Sequence, residues 1–189
     1  MIFEDDIKEA LNIIRQGGII LYPTDTIWGL GCDPSNDIAV NSIFNLKSRS
    51  ELKSLIILAD SIGMIERYVS EVPEIAYELT EVSDSPLTII YPKGKNLAAG
   101  VCGSDGSVAI RICHDEFCRE LISRFRKPIV STSANVSGSP APGNFSDVEK
   151  SLINRVDYVV KYRQDDRRKS SASPVIKINI DGTIKIIRN

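Results

Sequence analysis

Residues 18–33 read GIILYPTDTIWGLGCD. Ile19–Tyr22 make a continuous apolar run, the pattern of a buried strand. Pro23 closes the run, two threonines bracket Asp25, and Gly29 and Gly31 form a GxG. Alone, that GxG reads as a turn. Glycines at such a place also let backbone pass close to a ligand. Which reading holds depends on what the rest of the chain brings to the end of this strand.

Working outward, apolar periodicity alternates between helical and strand-like. Ile7, Leu11 and Ile14 repeat at i, i+4 and i+7, which predicts a helix over 4–16 that ends at Gly17-Gly18. A second helix runs to about Leu46, capped by Ser35 or Asn36. LIILA (55–59), LTIIYP (87–92), SVAIRI (107–112) and PIVST (128–132) read as strands. EVPEIAYELTEV, started by Pro73, DEFCRELISRF (115–125) and a short segment at 147–154 read as helices. Residues 93–106 and 135–146 are Gly- and Ser-rich loops. SPVIKINIDGTIKIIRN, at the end, predicts a hairpin turned at Asp181-Gly182. Interleaved helices and strands with a terminal hairpin predict one α/β domain over 1–189, with a mixed, twisted sheet flanked by helices. RQDDRRKSSAS (163–173) is charged and small, the best candidate for a surface loop or lid.

Composition narrows the functional classes. With 189 residues, 42% of them hydrophobic, the chain is long enough to bury a real core. A net charge of -2 argues against bulk non-specific nucleic-acid binding but leaves room for a local basic patch. No apolar run is long enough to span a membrane, and the acidic MIFEDDIKEA start is unlike a signal peptide, so a cytoplasmic protein is expected. Cys32, Cys102, Cys113 and Cys118 form no CxxC pair and read as free buried thiols.

Histidine chemistry is poorly supported. His114 is the single histidine, no GxSxG elbow is present, and His/Cys metal clusters are lacking. Nor is there a GxxxxGK[ST] or GxGxxG phosphate loop. Anion-binding material exists elsewhere. Lys47, Arg49 and Lys53 lie between a helix and a strand, where they are either a solvated basic turn or a phosphate-binding triplet. STSANVSG (131–138) leaves the carboxyl end of a strand, where ligands sit in α/β sheets. It is either a capped loop or a ligand loop whose small residues let backbone N–H groups approach an anion.

Taken together, PTDTIWGLGCD, KSR with Lys53, VAIRI, STSANVSG and SPVIKI resemble, in order and over nearly the whole length, the motifs of the YrdC/TsaC family of threonylcarbamoyl-AMP synthases. The resemblance implies a YrdC-like mixed sheet with a concave, positively charged face. It implies a nucleotidyltransferase that joins L-threonine, bicarbonate and ATP, with Mg²⁺ carried by the ATP phosphates, into threonylcarbamoyl-AMP and pyrophosphate. Partner proteins of a transferase complex then modify adenosine 37 of tRNAs reading codons that begin with A. Carried over by position, Thr26, Arg111, Ser131 and Ser173 would contact threonine. Lys47, Arg49, Lys53, Ser107, Ser133, Asn135, Ala141 and Arg188 would contact ATP, Lys47 and Arg49 being the catalytic pair, with no protein metal ligand. Backbone near Thr24 and Gly29 would shape the wall.

Departures from the family pattern are SDSPLT (83–88), Ser54 after Lys53, R-I-C at 111–113, and Pro174 and Lys177 in the last strand pattern. A non-catalytic factor binding double-stranded RNA or tRNA, or acting in ribosome maturation, is the alternative; the acidic composition favours the enzyme. A carbamoyl-transfer accessory role is a third reading, associated with much longer chains.

Overall fold

The structure, a computed structural model, describes residues 2–48, 55–83 and 85–189. Among these, nine strands form one sheet in the order β7-β1-β2-β6-β3-β5-β4-β8-β9. They are β1 (Ile20–Tyr22), β2 (Gly29–Gly31), β3 (Ile56–Ala59), β4 (Thr88–Tyr91), β5 (Val108–Ile112), β6 (Ile129–Ser133), β7 (Tyr158–Val159), β8 (Val175–Ile178) and β9 (Ile184–Arg188). The sheet is mixed as expected: β1/β7, β3/β5 and β4/β8 are parallel, and the other neighbours antiparallel. Helices α1 (Ile2–Arg15), α2 (Asp37–Lys47), α3 (Ile62–Tyr68), α4 (Glu74–Val82), α5 (Glu116–Phe125) and α6 (Lys150–Ile153) flank it.

Side-chain chemistry sets the ends of these elements. Asn36, rather than Ser35, caps α2, its Oδ1 accepting from the Ala39 N–H at 3.1 Å. Ser48 ends that helix in the left-handed region at φ 49°. Asp115 caps α5 by accepting from the Cys118 N–H at 3.1 Å. Helix α1 buries Ile7, Ala10 and Ile14 completely or nearly so, while Leu11 stays partly exposed. It packs across α5 through Phe3, whose ring meets Phe117 edge-on at 5.8 Å, and through a bidentate Arg124–Glu4 pair at 2.7 and 2.9 Å. All four cysteines are free thiols, and burial pushes that of Cys118 upward.

Two elements are not those the sequence pattern predicts. Gly29–Gly31, read above as a turn, is a strand between β1 and β6. Glycine is a weak strand former, but close packing overrides that preference here. A Cβ at Gly31 would lie 2.6 Å from Tyr22 Cε1 and 2.9 Å from the Val130 carbonyl oxygen. Helix α3, capped by Ser61, was not anticipated from its seven residues. At 147–154 the helix shrinks to α6, behind a 3-10 turn at Phe145–Asp147. The terminal hairpin turns where expected, with Gly182 at φ +82° and Asp181 accepting from the Thr183 N–H at 2.9 Å.

Candidate active site

A cleft of about 210 Å³ opens where the 24–28 connection, β6, β5 and the 172–173 segment converge. Its lining includes Thr26, Arg111, Ser131, Ser133, Ser173, Ala141 and Arg188, all singled out above, together with the unanticipated Ile27, Ile56, Thr132 and Ala172. Local bonding fixes the first wall. Thr24 Oγ1 accepts from the Thr26 N–H at 3.0 Å and donates to the Ile27 carbonyl at 2.8 Å. Its hydroxyl also meets that of Thr26 at 3.1 Å. This short hydroxyl-to-backbone turn, of the kind Ser and Thr favour, sets Thr26 against the cleft. Gly29 joins the lining because β2 runs close to β6: a Cβ there would lie 3.1 Å from Ser131 Oγ.

Arg111 reaches the cleft from β5 and is only 3% exposed. Its Nη2 donates to Asp25 Oδ1 at 2.9 Å and to Thr24 Oγ1 at 3.5 Å, and its Nη1 to Ser173 Oγ at 3.3 Å. Its Nε is buried and has no hydrogen-bond partner among the described residues. Ser173 is held in turn by Thr88, whose hydroxyl lies 2.7 Å away, while Arg188 donates twice to the Ser173 carbonyl at 2.7 and 3.0 Å. A buried guanidinium ringed by hydroxyls suits a carboxylate and a neighbouring alcohol.

The opposite corner is built differently. Lys47, at the end of α2, is 2% exposed. Its Nζ donates to the Asn135 carbonyl at 2.7 Å, to Asn135 Oδ1 at 3.3 Å and to the Ser133 carbonyl. The Ser137 N–H returns to the Lys47 carbonyl at 3.0 Å. Lys47 thus ties the 133–137 loop to α2 and does not itself line the cleft. Ala141 lines both the cleft and a wider cavity of about 600 Å³ bounded by Asn135, Pro140 and Pro142. Arg49 and Lys53 lie outside the described residues. Ser107 is not brought to the cleft: it sits in the 103–107 turn, its hydroxyl donating to Asp105 Oδ1 at 2.6 Å.

Several departures noted above have structural partners. Lys177 Nζ reaches Asp105 at 2.7 Å. The Cys113 N–H donates to the Ala59 carbonyl at 2.9 Å, a bond a proline cannot make. The Pro174 carbonyl accepts from the Thr88 N–H at 3.0 Å, so the missing N–H of Pro174 costs that contact nothing.

Asp25, Thr88 and Arg163 are site-supporting residues that sequence reasoning missed or left unassigned, and Thr24, expected to act through its backbone, acts through its hydroxyl as well. Arg163 holds φ 64°, pairs with Asp115 and donates to the Thr24 carbonyl at 3.4 Å. The 163–173 loop lies against residues 143–144: the Ser170 N–H donates to the Gly143 carbonyl at 3.0 Å, and Asn144 Nδ2 to the Arg167 carbonyl at 3.2 Å.

Comparison with known proteins places the chain in a family. The Sua5/YciO/YrdC family description, headed telomere recombination, matches residues 12–189. A Psychromonas ingrahamii protein named threonylcarbamoyl-AMP synthase is 37% identical over 150 residues, covering 78% of each chain. The crystal structure of P. abyssi Sua5 complexed with L-threonine superposes with a TM-score of 0.82 at 29% identity, over 91% of this chain and 50% of that one. The chain therefore spans about half the length of that protein. E. coli YciO shares the fold, with a TM-score of 0.83 at 22% identity, over 97% of this chain and 88% of that one. The chain belongs to the Sua5/YciO/YrdC family.

Proposed function

We propose that the protein is a threonylcarbamoyl-AMP synthase and that the cleft is its threonine and ATP site. The observation that carries this reading is the buried Arg111 fork among the hydroxyls of Thr26, Ser131 and Ser173, in a chain of this family. Arg111 takes the threonine carboxylate, and a neighbouring hydroxyl takes the threonine alcohol. Such a polar pairing separates threonine from apolar isosteres far better than shape alone. The amine condenses with bicarbonate to a carbamate, releasing water. The carbamate oxygen then attacks the α-phosphorus of ATP, and pyrophosphate leaves with the electrons of the broken P–O bond.

The nucleotide extends across Ala141 toward Asn135 and Pro140, with Arg188 at the junction. Lys47 supports this half by fixing the Ser133–Asn135 loop, and Arg49 and Lys53 supply charge for the departing pyrophosphate. Cations aimed at a leaving group stabilise the charge that grows in the transition state, and no histidine base is needed. Mg²⁺ enters with ATP on its phosphates: among the described residues the cleft lining offers hydroxyls and guanidiniums and no carboxylate. The product serves a tRNA-modifying complex that carries the threonylcarbamoyl group to adenosine 37. No described helix is long and apolar enough to cross a membrane, and a cytoplasmic setting fits such a role.

Incubation with ATP, bicarbonate, Mg²⁺ and labelled L-threonine tests this reading. A labelled adenylate with equimolar pyrophosphate is expected. Pyrophosphate that forms equally without threonine would overturn it.

A further inference from the structure

Asp25 is left without a role by the carried-over assignments, yet it is the carboxylate paired with Arg111. The two side chains are 10% and 4% exposed, so the pair is desolvated. Its Oδ1 accepts from Arg111 Nη2 at 2.9 Å, and its Oδ2 lies 3.4 Å from the His114 N–H. One carboxylate thus spans the Arg111 side chain and the backbone just beyond β5. Arg111 is a long side chain that must cross from β5 to the cleft, and Asp25 joins it from the 24–28 connection, 86 residues away in sequence. The contacts of Asp25 and Thr24 fall on Nη2 and that of Ser173 on Nη1, leaving Nε unpartnered among the described residues. Thr26 lines both the cleft and a second cavity of about 330 Å³ that Asp25 also lines.

We propose that Asp25 is a positioning residue that holds the Arg111 guanidinium in the orientation that receives the substrate carboxylate, an inference that rests on the threonine-site reading. Two effects of Asp25 oppose each other. Its charge repels an incoming carboxylate, while its bond fixes a planar donor fork whose usefulness depends on geometry. Positioning predicts that removing the charge weakens threonine binding; simple charge compensation predicts that it strengthens it.

Asp25→Asn separates the two. The KM for L-threonine should rise about tenfold, the loss expected for a hydrogen bond to a charged group, with kcat and the KM for ATP little changed. Asp25→Glu should recover part of the loss. A lowered threonine KM, or equal rises for both substrates, overturns the proposal. Proton exchange at Arg111 Nε–H, followed by NMR on arginine-labelled protein, gives a readout that needs no substrate. It should accelerate in Asp25→Asn; unchanged exchange overturns the proposal even if the kinetics shift. If the unaltered protein makes no adenylate, the threonine-site reading fails while the exchange measurement still decides the role of Asp25. Should thermal melting show Asp25→Asn to be unfolded, Asp25→Glu carries the same comparison: its displaced carboxylate should alter Arg111 exchange, and wild-type exchange overturns the proposal.

Discussion

The two walls of the cleft solve different problems with different materials. On the Arg111 side, side chains bond to side chains: Asp25, Arg111, Ser173, Thr88 and Thr24 form one connected, buried network. On the other side the buried Lys47 bonds to the Ser133 and Asn135 backbone carbonyls as well as to the side-chain oxygen of Asn135, and so shapes a loop. Recognition of a small amino acid needs fixed donors, because one methyl group is worth only about 1–3 kcal/mol. Grip on a polyphosphate needs a loop of small residues and mobile charge. Substitutions on the first wall should therefore change threonine affinity selectively, whereas those on the second should act through loop order and ATP.

The sharpest break in that contrast is Arg111→Ala. It removes the fork and strands Asp25, and a buried pair broken in this way costs about 3–5 kcal/mol of stability. Threonine KM should rise at least about a hundredfold, by the loss of more than one charge-assisted hydrogen bond. Arg111→Lys restores the charge but not the fork, and should recover much of the melting temperature but little of the threonine affinity. Lys47→Met tests the other wall. It leaves the Ser133 and Asn135 carbonyls short of a donor, which costs about 1–3 kcal/mol. Steady-state kinetics should show ATP KM rising more than threonine KM.

A smaller pair of changes compares two glycines of β2. Gly31→Ala drives a methyl into Tyr22 and the Val130 carbonyl and should cost about 1–3 kcal/mol by denaturant unfolding. Gly29→Ala comes closest to Ser131 Oγ at 3.1 Å, with the Thr132 carbonyl oxygen and Tyr22 ring at ordinary contact distances of 3.4 and 3.6 Å, so it should cost less stability and raise threonine KM instead. The smallest effect lies away from both walls. Lys177 and then Ser107 hold the Asp105 carboxyl below the usual carboxylate range. A depressed folded-state value stabilises above the unfolded value, near pH 4, and that stability is lost as pH falls through the folded value. The Lys177→Ala melting deficit should be small at pH 7, since Asp105 is 54% exposed, and should shrink as pH drops below about 4.

Much of the fold is legible in local pattern. Continuous apolar runs locate β1 and β3, since a strand covered on both faces buries nearly every residue, and alternation locates β5. The same rule fails at β2, where the deciding fact is the Tyr22 ring against Gly31, a tertiary contact that no window of sequence contains. The cleft residues share that division. Thr26, Arg111, Ser131, Ser133 and Ser173 stand in motifs, and the structure gathers them together with Arg188. Asp25 stands in a motif too, but its meaning depends on a partner 86 residues away. Lys47 likewise reads as a surface cation until Asn135, 88 residues on, is seen to enclose it.

Equilibrium binding of labelled L-threonine, without ATP, to the unaltered protein and to Arg111→Ala tests the cleft assignment most directly. Saturable binding that unlabelled threonine displaces, lost in Arg111→Ala while the variant still melts cooperatively, is predicted. Equal threonine affinity in the two proteins would contradict the placement of the amino-acid site at Arg111.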